Sequence, residues 1–598
     1  MGADRFISRK RILRATVLVV IAILLSKISG LVRDQIMAGY FGISFETDAY
    51  VWANYIPNLF RILFAESLIV AAFIPIYSRY IKKRNTDDSR IFVSSITNII
   101  IIGFSVIAAI LFVLSPQIGT LLSSISGNQM DIAKFVVMNR IMIFSLLTLS
   151  LSGLVTGILN SHNLFTLPSL APFILNIVTI IFVTTLYSRL GIYTMAIGVM
   201  VGSLMHLLIQ VPQLRIAGPE FRSSAFGRKS LKDNITGRLK ERFTLNLKHE
   251  GVREIFSLMF PILLSLGAVQ LNNSVDNFFA LNLGAGNTTA LILSWRVANL
   301  PLGVFTVAII TVLYPLMSRQ AAGDDTRGIK ESFSLGIREI GYMMVPAAAG
   351  LVILSYPIIK VLFEHNNFGP EDTAKVSTIL IFHSLGLVFF GLLMILNRIF
   401  YAFKNVKTPL KVAAVSILVN LLLDWIFIRY MGIEGLALST TLVALFNVVV
   451  LLVILRKKVG NLGARRILSS YWKILLSALI MSGAIYIVWK YISVYAYRNL
   501  AWLVAAIVGI IVLGAAIYTG MTILLKMDEI RFVLNMFKGM KKNGSTVEDP
   551  EAGSKKADKT DRSEQINRTG RPDEAEDGDG SGKVNESEDG DGSDKENG

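Results

Sequence analysis

Positively charged side chains interrupt several long apolar runs of this sequence. Lys27 and Arg33 lie in the first run, Arg61 lies in the second, and Arg296 lies in a later one. A charge at the centre of a bilayer costs at least about 2.5–3.5 kcal/mol, so such residues generally face a cavity and serve a function. The four cations predict a chamber for an anionic ligand that carries a carboxylate or a pyrophosphate.

Internal ion pairing is the alternative explanation for these charges. Arg33 directly precedes Asp34, and Arg61 lies five residues before Glu66. Each pair would neutralise its own arginine without any ligand. The cations still outnumber these acids, and this excess favours a ligand-binding chamber over internal pairing.

A second group of side chains in the apolar runs carries oxygen atoms. Asn420 and Asp424 share one helix face at positions i and i+4, and Asp276 and Thr440 lie in other runs. Hard cations such as Na⁺ prefer oxygen ligands, so these residues form a candidate cation site. The equally weighted alternative is that the two aspartates pair with nearby arginine or lysine side chains.

The elements that position these residues are expected to be transmembrane helices. Hydrophobic residues make up 53% of the 598 residues and charged residues only 17%, whereas soluble proteins carry roughly 25% charged residues. Apolar runs of about 20 residues recur along the chain, and each is long enough to cross a bilayer as a helix. We therefore predict an all-α polytopic membrane protein with about fourteen transmembrane helices.

Lysine and arginine are concentrated in alternate loops of the predicted fold. Residues 82–84 and 215–253 are basic, whereas the loops at 39–47 and 283–287 contain almost no lysine or arginine. The positive-inside rule then places both termini in the cytoplasm and requires an even number of helices. No cleavage site follows the basic N-terminus, so we expect a retained first helix instead of a signal peptide.

The sequence also repeats weakly at an offset of about 240 residues. Asp34 corresponds to Asp276, and Asn176 corresponds approximately to Asn420. A unit of six helices gives two parallel copies, with a substrate site expected between them near the midplane. The predicted segments are a basic cytoplasmic N-terminus (1–12), a first six-helix lobe (13–214), a basic cytoplasmic linker (215–252), a second six-helix lobe (253–458), two extra helices (470–526) and a largely disordered acidic cytoplasmic tail (527–598).

Several kinds of chemistry are disfavoured by what the sequence lacks. The chain contains no cysteine, which excludes disulfides and thiol catalysis, and its five histidines are scattered. It has no GxxxxGK[ST] motif for nucleotide hydrolysis. We expect a transporter and not an enzyme, since a membrane-embedded transferase would need clustered aspartate and histidine groups on a cytoplasmic loop.

Three blocks of sequence are distinctive. The first, within residues 39–75, contains GYFG, TDAY, IPNLFRILFAE and AFIP. The later blocks read LFEHNNF at 362–368 and NRIFYA at 397–402, the latter followed by KTP. Over about residues 10–526 the chain resembles the MurJ/MviN family of lipid II flippases.

This resemblance implies a fold and a function. The fold would be that of the multidrug/oligosaccharidyl-lipid/polysaccharide exporter superfamily. The function would be to flip lipid II, the undecaprenyl-pyrophosphate-linked peptidoglycan precursor, from the inner to the outer leaflet of the bacterial cytoplasmic membrane by alternating access. We expect a monomer in the lipid bilayer, without a nucleic-acid partner or a cofactor other than Na⁺ as a candidate coupling ion. The alternatives are a polysaccharide-lipid flippase, an ion-coupled drug antiporter, and a scaffold that recruits partners through its tail.

The resemblance also implies roles for individual positions. Head-group binding falls on Lys27, Arg33, Arg61 and Arg296. Positions near the cavity or its gate are Ser26, Gly30, Asp34, Asp48, Asn58 and Glu66. A sodium site falls on Asp276, Asn420, Asp424 and Thr440 with the carbonyl of Leu436. The chain departs from the family at Lys27 and Ile62, where the family usually has arginine, and Lys27 would contact a phosphate as a point charge.

Overall fold

The computed structural model describes residues 2–66, 73–83, 86–127, 130–217 and 246–530. These residues are mostly helical, and none of them lies in a β-strand. The predicted all-α fold is therefore confirmed. Most of the predicted linker and nearly all of the predicted tail lie outside the described residues, and the disorder expected of the tail stays a prediction.

The helices fall into two series and a terminal pair. The first series is α1 Gly2–Phe41, α2 Phe45–Phe60 with a π-helical turn at Arg61–Glu66, α3 Ile74–Lys83, α4 Thr86–Ile125, α5 Ile132–Ser161, α6 Thr166–Leu190, α7 Tyr193–Leu208 and α8 Val211–Ala217. The second is α9 Glu250–Asn282, α10 Asn287–Pro301 with a π-helical turn at Leu302–Thr306, α11 Val307–Ala322, α12 Thr326–Ile353, α13 Ser355–Phe363, α14 Pro370–Leu385, α15 Leu387–Ala402, α16 Lys407–Met431 and α17 Ile433–Val459. The pair is α18 Ala464–Ala496 and α19 Leu500–Leu524.

The helix bounds repeat between the two series. The helices α1 and α9 end at Phe41 and Asn282, and the π-helical turns begin at Arg61 and Leu302. Both pairs of residues are 241 positions apart. Because π-helical turns are rare, their presence at equivalent places in the two series supports the repeat that the sequence predicts.

Glycine ends the equivalent helices α6 and α16. Gly191 has a φ of 53° and Gly432 a φ of 63°, a region that residues with a side chain rarely occupy. The positive φ stops each helix, so that α7 and α17 begin within two residues and pack back against it. The approach of α7 to α6 is close, since a β-carbon on Gly202 would lie 2.9 Å from the carbonyl oxygen of Leu175.

The described helices are suited to crossing a membrane. Ten helical segments are long and apolar enough to do so, or eleven if α14 and α15, which meet at 46°, form one span. This number refers to the described residues only, and the predicted total of fourteen stays a prediction. The chain is a polytopic membrane protein.

The terminal pair packs against the second series. Tyr471 of α18 donates a hydrogen bond to the carbonyl of Ile337 at 3.1 Å, and Tyr518 of α19 donates to the carbonyl of Tyr342 at 2.9 Å. Both acceptors lie on α12. The pair therefore stands outside the repeat and is attached to the second series.

Candidate functional site

Two arginines from different series share one carboxylate. Arg33 on α1 donates from Nε and Nη2 to Asp34 Oδ1, at 3.2 and 2.8 Å. Arg296 on α10 places its Nε 2.7 Å from Asp34 Oδ2. The Asp34 side chain is 4% exposed, whereas those of Arg33 and Arg296 are 16% and 44% exposed. These three residues, the arginine cluster, keep one net positive charge.

Asn176 on α6 orients this part of α1. Its amide oxygen accepts from Arg33 Nη1 at 3.1 Å. Its amide nitrogen donates to the Ser26 carbonyl at 3.2 Å and to the Ser29 hydroxyl at 3.0 Å. Gly30 lies against the same amide, since a β-carbon there would be 3.4 Å from Asn176 Nδ2. Ser26 and Gly30 therefore contact α6 through Asn176, which positions Arg33.

Lys27 lies beside the arginine cluster on α1. Its side chain is exposed, and it reaches the π-helical turn after α10, where a β-carbon on Gly303 would lie 3.2 Å from Nζ. Within the described part of the chain, Lys27 forms no ion pair. Gly303 and Arg296 are seven residues apart, about two helical turns. The helices α1 and α10 therefore face each other, with Lys27 opposite Gly303 and Asp34 opposite Arg296.

Arg61 lies on a separate element. It begins the π-helical turn after α2, and its Nε donates to Asn58 Oδ1 at 2.8 Å. Asn58 thus orients Arg61, whose side chain is half-buried. The side chain of Glu66, the partner that the sequence suggests for Arg61, lies outside the described residues.

The cations suit an anionic group that sits between the two series. The alternative explanation, ion pairing within the protein, holds in part, because Arg33 and Asp34 form an ion pair. Arg296 depends on the same carboxylate, however, so one acid faces two arginines and Lys27 adds a further charge. Guanidinium groups bind phosphate through two parallel hydrogen bonds. The geometry can therefore receive an oxyanion, and substrate binding by these residues stays a prediction.

Asp48 joins the two series at the end of the bundle whose loops contain few basic residues. Its buried carboxylate accepts from the Thr289 backbone N–H at 2.9 Å and from the Thr289 hydroxyl at 2.7 Å. Thr289 lies in the first turn of α10, where the N-cap position is Gly286 and has no side chain to satisfy the free N–H groups. Asp48 on α2 therefore caps a helix of the other series, and its action as a gate stays a prediction.

Glycines allow the backbones of the two series to meet at this end. A β-carbon would fall far inside van der Waals distance at each of three positions: Gly39, 2.1 Å from His365 Nε2; Gly42, 2.6 Å from the Asn367 carbonyl oxygen; and Gly286, 1.8 Å from Ile43 Cγ2. The Asn367 N–H also donates to the Gly39 carbonyl at 2.9 Å. A larger residue at Gly42 or Gly286 would meet backbone atoms and force the two series apart, whereas at Gly39 the His365 side chain would have to move.

The two series also touch at the opposite end. Gly251 in the first turn of α9 lies against Phe92 of α4, with a β-carbon 2.9 Å from the ring. Arg79 of α3 forms an ion pair with Glu254 of α9. The two series are therefore in contact at both ends of the bundle.

The residues of the candidate cation site come together in the structure. Asp276 accepts from Asn420 Nδ2 at 2.5 Å and from the Thr440 hydroxyl at 2.9 Å. Asn420 Nδ2 also lies 3.2 Å from Asp424 Oδ2, and the Thr440 hydroxyl lies 3.0 Å from the Leu436 carbonyl. The helices α9, α16 and α17 thus assemble all five predicted residues, which we call the oxygen cluster.

The chemistry of the oxygen cluster fits a hard cation. Neither Asp276 nor Asp424 pairs with arginine or lysine among the described residues, so the ion-pair alternative finds no support there. Asp424 Oδ1 is buried and lacks a hydrogen-bond partner in the same part of the chain. Two adjacent buried carboxylates are neutralised either by a shared proton or by a bound cation, and an all-oxygen donor set suits Na⁺. Sodium binding stays a prediction.

Comparison with known proteins identifies the family. The family model described as "Lipid II flippase MurJ" matches residues 37–506, well over half of the chain. The chain belongs to the MurJ family. A relative from Vibrio cholerae serotype O1, described as "Probable lipid II flippase MurJ", is 28% identical over 534 residues, which is 86% of this chain and 96% of that protein.

Solved structures agree with this assignment to the MurJ family. The structure titled "Lipid II flippase MurJ, inward closed conformation" matches with a TM-score of 0.68 at 28% identity, covering 86% of this chain and all of that one. An inward-facing MATE family transporter of the MOP superfamily matches with a TM-score of 0.57 at 13% identity, covering 75% and 99%, and shows the fold alone. The family and superfamily fold indicated by the sequence motifs are confirmed.

Some residues of this MurJ-family site were not singled out from the sequence as site residues. Thr289 donates hydrogen bonds to Asp48, the Asn367 N–H donates to the Gly39 carbonyl, and the Asn176 amide accepts from Arg33. The signal that could have found Thr289 is the repeat itself. Asp48 and Thr289 are 241 residues apart, and equivalent residues of two parallel repeats can meet at the axis that relates them.

Proposed function

We propose that this chain flips lipid II from the inner to the outer leaflet of the bacterial cytoplasmic membrane during cell-wall synthesis. The family match over residues 37–506 carries the proposal. The arginine cluster supports it, because the head group of lipid II carries a pyrophosphate and the cluster keeps a positive excess at the contact between the two series. No covalent bond is made or broken in this reaction.

The pyrophosphate would bind among Lys27, Arg33 and Arg296, with Arg61 as a fourth cation. Arg296 is the most exposed member of the arginine cluster, so it retains N–H groups for a ligand while its Nε faces Asp34. Arg33 is held in place by Asn176 and Asp34. The undecaprenyl tail would stay in the lipid while the head group passes between the two series.

Transport would proceed by alternating access. The contacts of Asp48 with Thr289 and of Gly39 with Asn367 would break to open the outer end, and the Arg79–Glu254 pair would break to open the inner end. The Arg79–Glu254 pair is exposed and can be exchanged for water at low cost, whereas the buried Asp48 carboxylate would need water or another donor to replace Thr289. The low lysine and arginine content of the loop at 39–47 supports an outer position for the Asp48 contact, with both termini in the cytoplasm.

The oxygen cluster would hold Na⁺ through the side chains of Asp276, Asn420, Asp424 and Thr440 and the carbonyl of Leu436. A bound sodium ion would neutralise the two carboxylates and provide coupling to an ion gradient. The cluster joins α9, α16 and α17, so its charge state would affect how these helices pack. We also propose that the protein acts as a monomer.

Depletion in the native host tests the proposed substrate. The lipid-linked precursors of the depleted cells would be extracted, identified by mass spectrometry and assigned to a leaflet by their accessibility. We expect lipid II to accumulate in the inner leaflet. Accumulation of a polysaccharide-linked lipid instead, or drug sensitivity without any accumulated precursor, would contradict the proposal in favour of another transporter of the superfamily.

A further inference from the structure

A second cationic site, which we call the basic cavity, lies away from the arginine cluster, between α12, the start of α18 and the end of α19. Its volume is about 550 Å³. The charged residues that line it are Arg338, Arg465, Arg466, Lys473, Lys526, Asp528 and Glu529. Five cations against two acids give a net charge of +3, or +2 if the neighbouring buried Glu339 is counted as ionised.

Buried polar contacts form the floor of this basic cavity. Arg338 Nη1 lies 2.6 Å from Glu529 Oε1, and the two side chains are only 6% and 2% exposed. The Ser470 hydroxyl donates to the same oxygen at 2.8 Å. Lys473 Nζ donates to the Leu525 carbonyl at 3.0 Å and thereby caps the end of α19. The floor is therefore built and pre-organised by two helices, α12 and α18, and by the segment after α19.

The remaining cations of the basic cavity face outward. Arg465 and Lys526 are exposed and form no ion pair within the described residues. Arg466 lies 3.8 Å from Asp528, and both side chains are exposed. The first turn of α18 adds free backbone N–H groups, because its N-cap, Gly463, makes no side-chain capping bond. An anion at this place would meet both the side-chain charges and the positive end of a helix dipole.

The outer face of α18 continues from the basic cavity as an apolar surface. Leu468 and Trp472 are 73% and 70% exposed, and Trp472 is adjacent to Lys473. Tryptophan is typical of the membrane–water interface, with aliphatic residues deeper in the bilayer. The basic cavity therefore lies at the depth of lipid head groups, and hydrocarbon-facing surface begins next to it. A soluble anion would use only the charges, whereas a phospholipid would use both features.

We propose that this cavity binds the phosphate head group of an anionic phospholipid, whose acyl chains lie along the outer face of α18. Basic pockets between transmembrane helices bind such head groups by charge and hydrogen bonding. The phosphate would be held by Arg465, Arg466 and Lys526. Since the cavity is lined by α12, α18 and the segment that follows α19, the bound lipid would fasten the terminal pair of helices to the second series.

Binding of phosphatidylglycerol to the purified full-length protein tests this site. The test variant combines Arg465→Gln, Arg466→Gln and Lys526→Gln, which leaves the floor intact. The matched control combines Lys411→Gln, Arg456→Gln and Lys457→Gln, which removes the same charge from exposed positions at the same end of the bundle. Native mass spectrometry would titrate each protein with phosphatidylglycerol and with phosphatidylcholine. Inorganic phosphate and glycerol phosphate would be tested as competitors.

We expect the wild type and the control variant to prefer phosphatidylglycerol, and the test variant to bind it at least about tenfold more weakly. Unchanged binding by the test variant, or an equal loss in the control variant, would overturn the site. Displacement of the lipid by equimolar free phosphate would overturn the choice of a lipid over a soluble anion. If the triple variant fails to fold, the single exposed change Arg465→Glu must produce the same selective loss.

Discussion

Asp34 and Asp276 correspond to within one residue in the two repeats, yet they have opposite partners. Asp34 faces two arginines, whereas Asp276 accepts hydrogen bonds from an amide and a hydroxyl. Asn176 and Asn420 correspond only approximately, being 244 residues apart. One positions an arginine, while the other contacts two carboxylates. At the scale of single residues, the same scaffold therefore provides a cationic site in one half and an acidic site in the other.

Replacing Asn176 tests how Arg33 is positioned. Asn176→Leu removes three hydrogen bonds to α1, and at about 0.5–1.5 kcal/mol each we expect the free energy of unfolding to fall by about 1.5–4.5 kcal/mol. The unfolding temperature, followed by tryptophan fluorescence, should fall, and lipid II flipping should slow. Thr184→Val, an exposed change on the same helix, should affect neither. Wild-type flipping by Asn176→Leu would show that Arg33 does not depend on this amide.

Sodium dependence of stability tests the oxygen cluster. A ligand that binds only the folded state raises stability by RT ln(1 + [L]/Kd). The unfolding temperature of the wild type should therefore be higher in sodium chloride than in choline chloride at equal ionic strength, and Asp424→Asn should abolish the difference. Asp324→Asn, an exposed loop change, should preserve it. The absence of a sodium-specific shift in the wild type would reject the site.

Sequence reasoning predicts residue types better than residue partners. The four cations could be selected because charges are costly in apolar runs. The sequence does not predict that Asp34 pairs with both Arg33 and Arg296. Arg296 lies more than 250 residues from Asp34, and no local spacing relates these two residues. The oxygen cluster was easier to predict, since the spacing of Asn420 and Asp424 places them on one helix face.

At the scale of elements, the Asp48–Thr289 contact between the series depends on close backbone approach. Gly286 combines a φ of 71° with a position against Ile43. Asp48 can cap α10 only while α2 stays within hydrogen-bond distance of Thr289. Separation of the helices would thus remove the cap and the packing together, which makes this contact cooperative.

Enlarging Gly286 should open the Asp48–Thr289 contact. In Gly286→Ala the new methyl group overlaps Ile43 and occupies an unfavourable φ, so the two series must separate. The chain has no cysteine, so a single reporter, Thr288→Cys, can be placed in the buried first turn of α10. Its labelling by an impermeant maleimide should become at least about tenfold faster in the Gly286→Ala background.

Gly350→Ala is the matched control for this experiment, because a β-carbon there meets no atom within 4 Å. It should leave the labelling of Thr288→Cys unchanged. Equal labelling in the Gly286→Ala and wild-type backgrounds would show that the contact does not depend on the glycine.

The positions of the helices could be predicted, but their interruptions could not. Apolar runs locate the helices because bilayer thickness fixes their length. The π-helical turns at Arg61 and Leu302 do not interrupt the apolar runs, so run length alone does not locate them, although Pro57 and Pro301 precede them. The bend of 46° between α14 and α15 falls at Gly386 and is equally invisible to run length.

At the scale of the whole molecule, the function is expected to reside in the helical bundle. The family match ends at residue 506 and does not include the acidic tail. Deletion of residues 545–598 should therefore leave lipid II flipping within about twofold of the wild type, and complementation of a depleted strain would measure this in cells. Loss of complementation by a truncated protein that is still inserted in the membrane would favour a scaffold that works through its tail.

The rate of lipid II flipping in proteoliposomes that contain only the purified protein tests whether the arginine cluster receives the head group. The rate would be measured with labelled lipid II and a reagent that reaches one leaflet. We expect Arg33→Ala and Arg296→Ala each to reduce the rate at least about tenfold, a loss of about 1.4 kcal/mol or more in transition-state stabilisation. Arg327→Ala, whose side chain is 91% exposed and pairs only with Glu331 among the described residues, should leave the rate unchanged. Wild-type flipping by both Arg33→Ala and Arg296→Ala would contradict the claim that these cations receive the anionic head group.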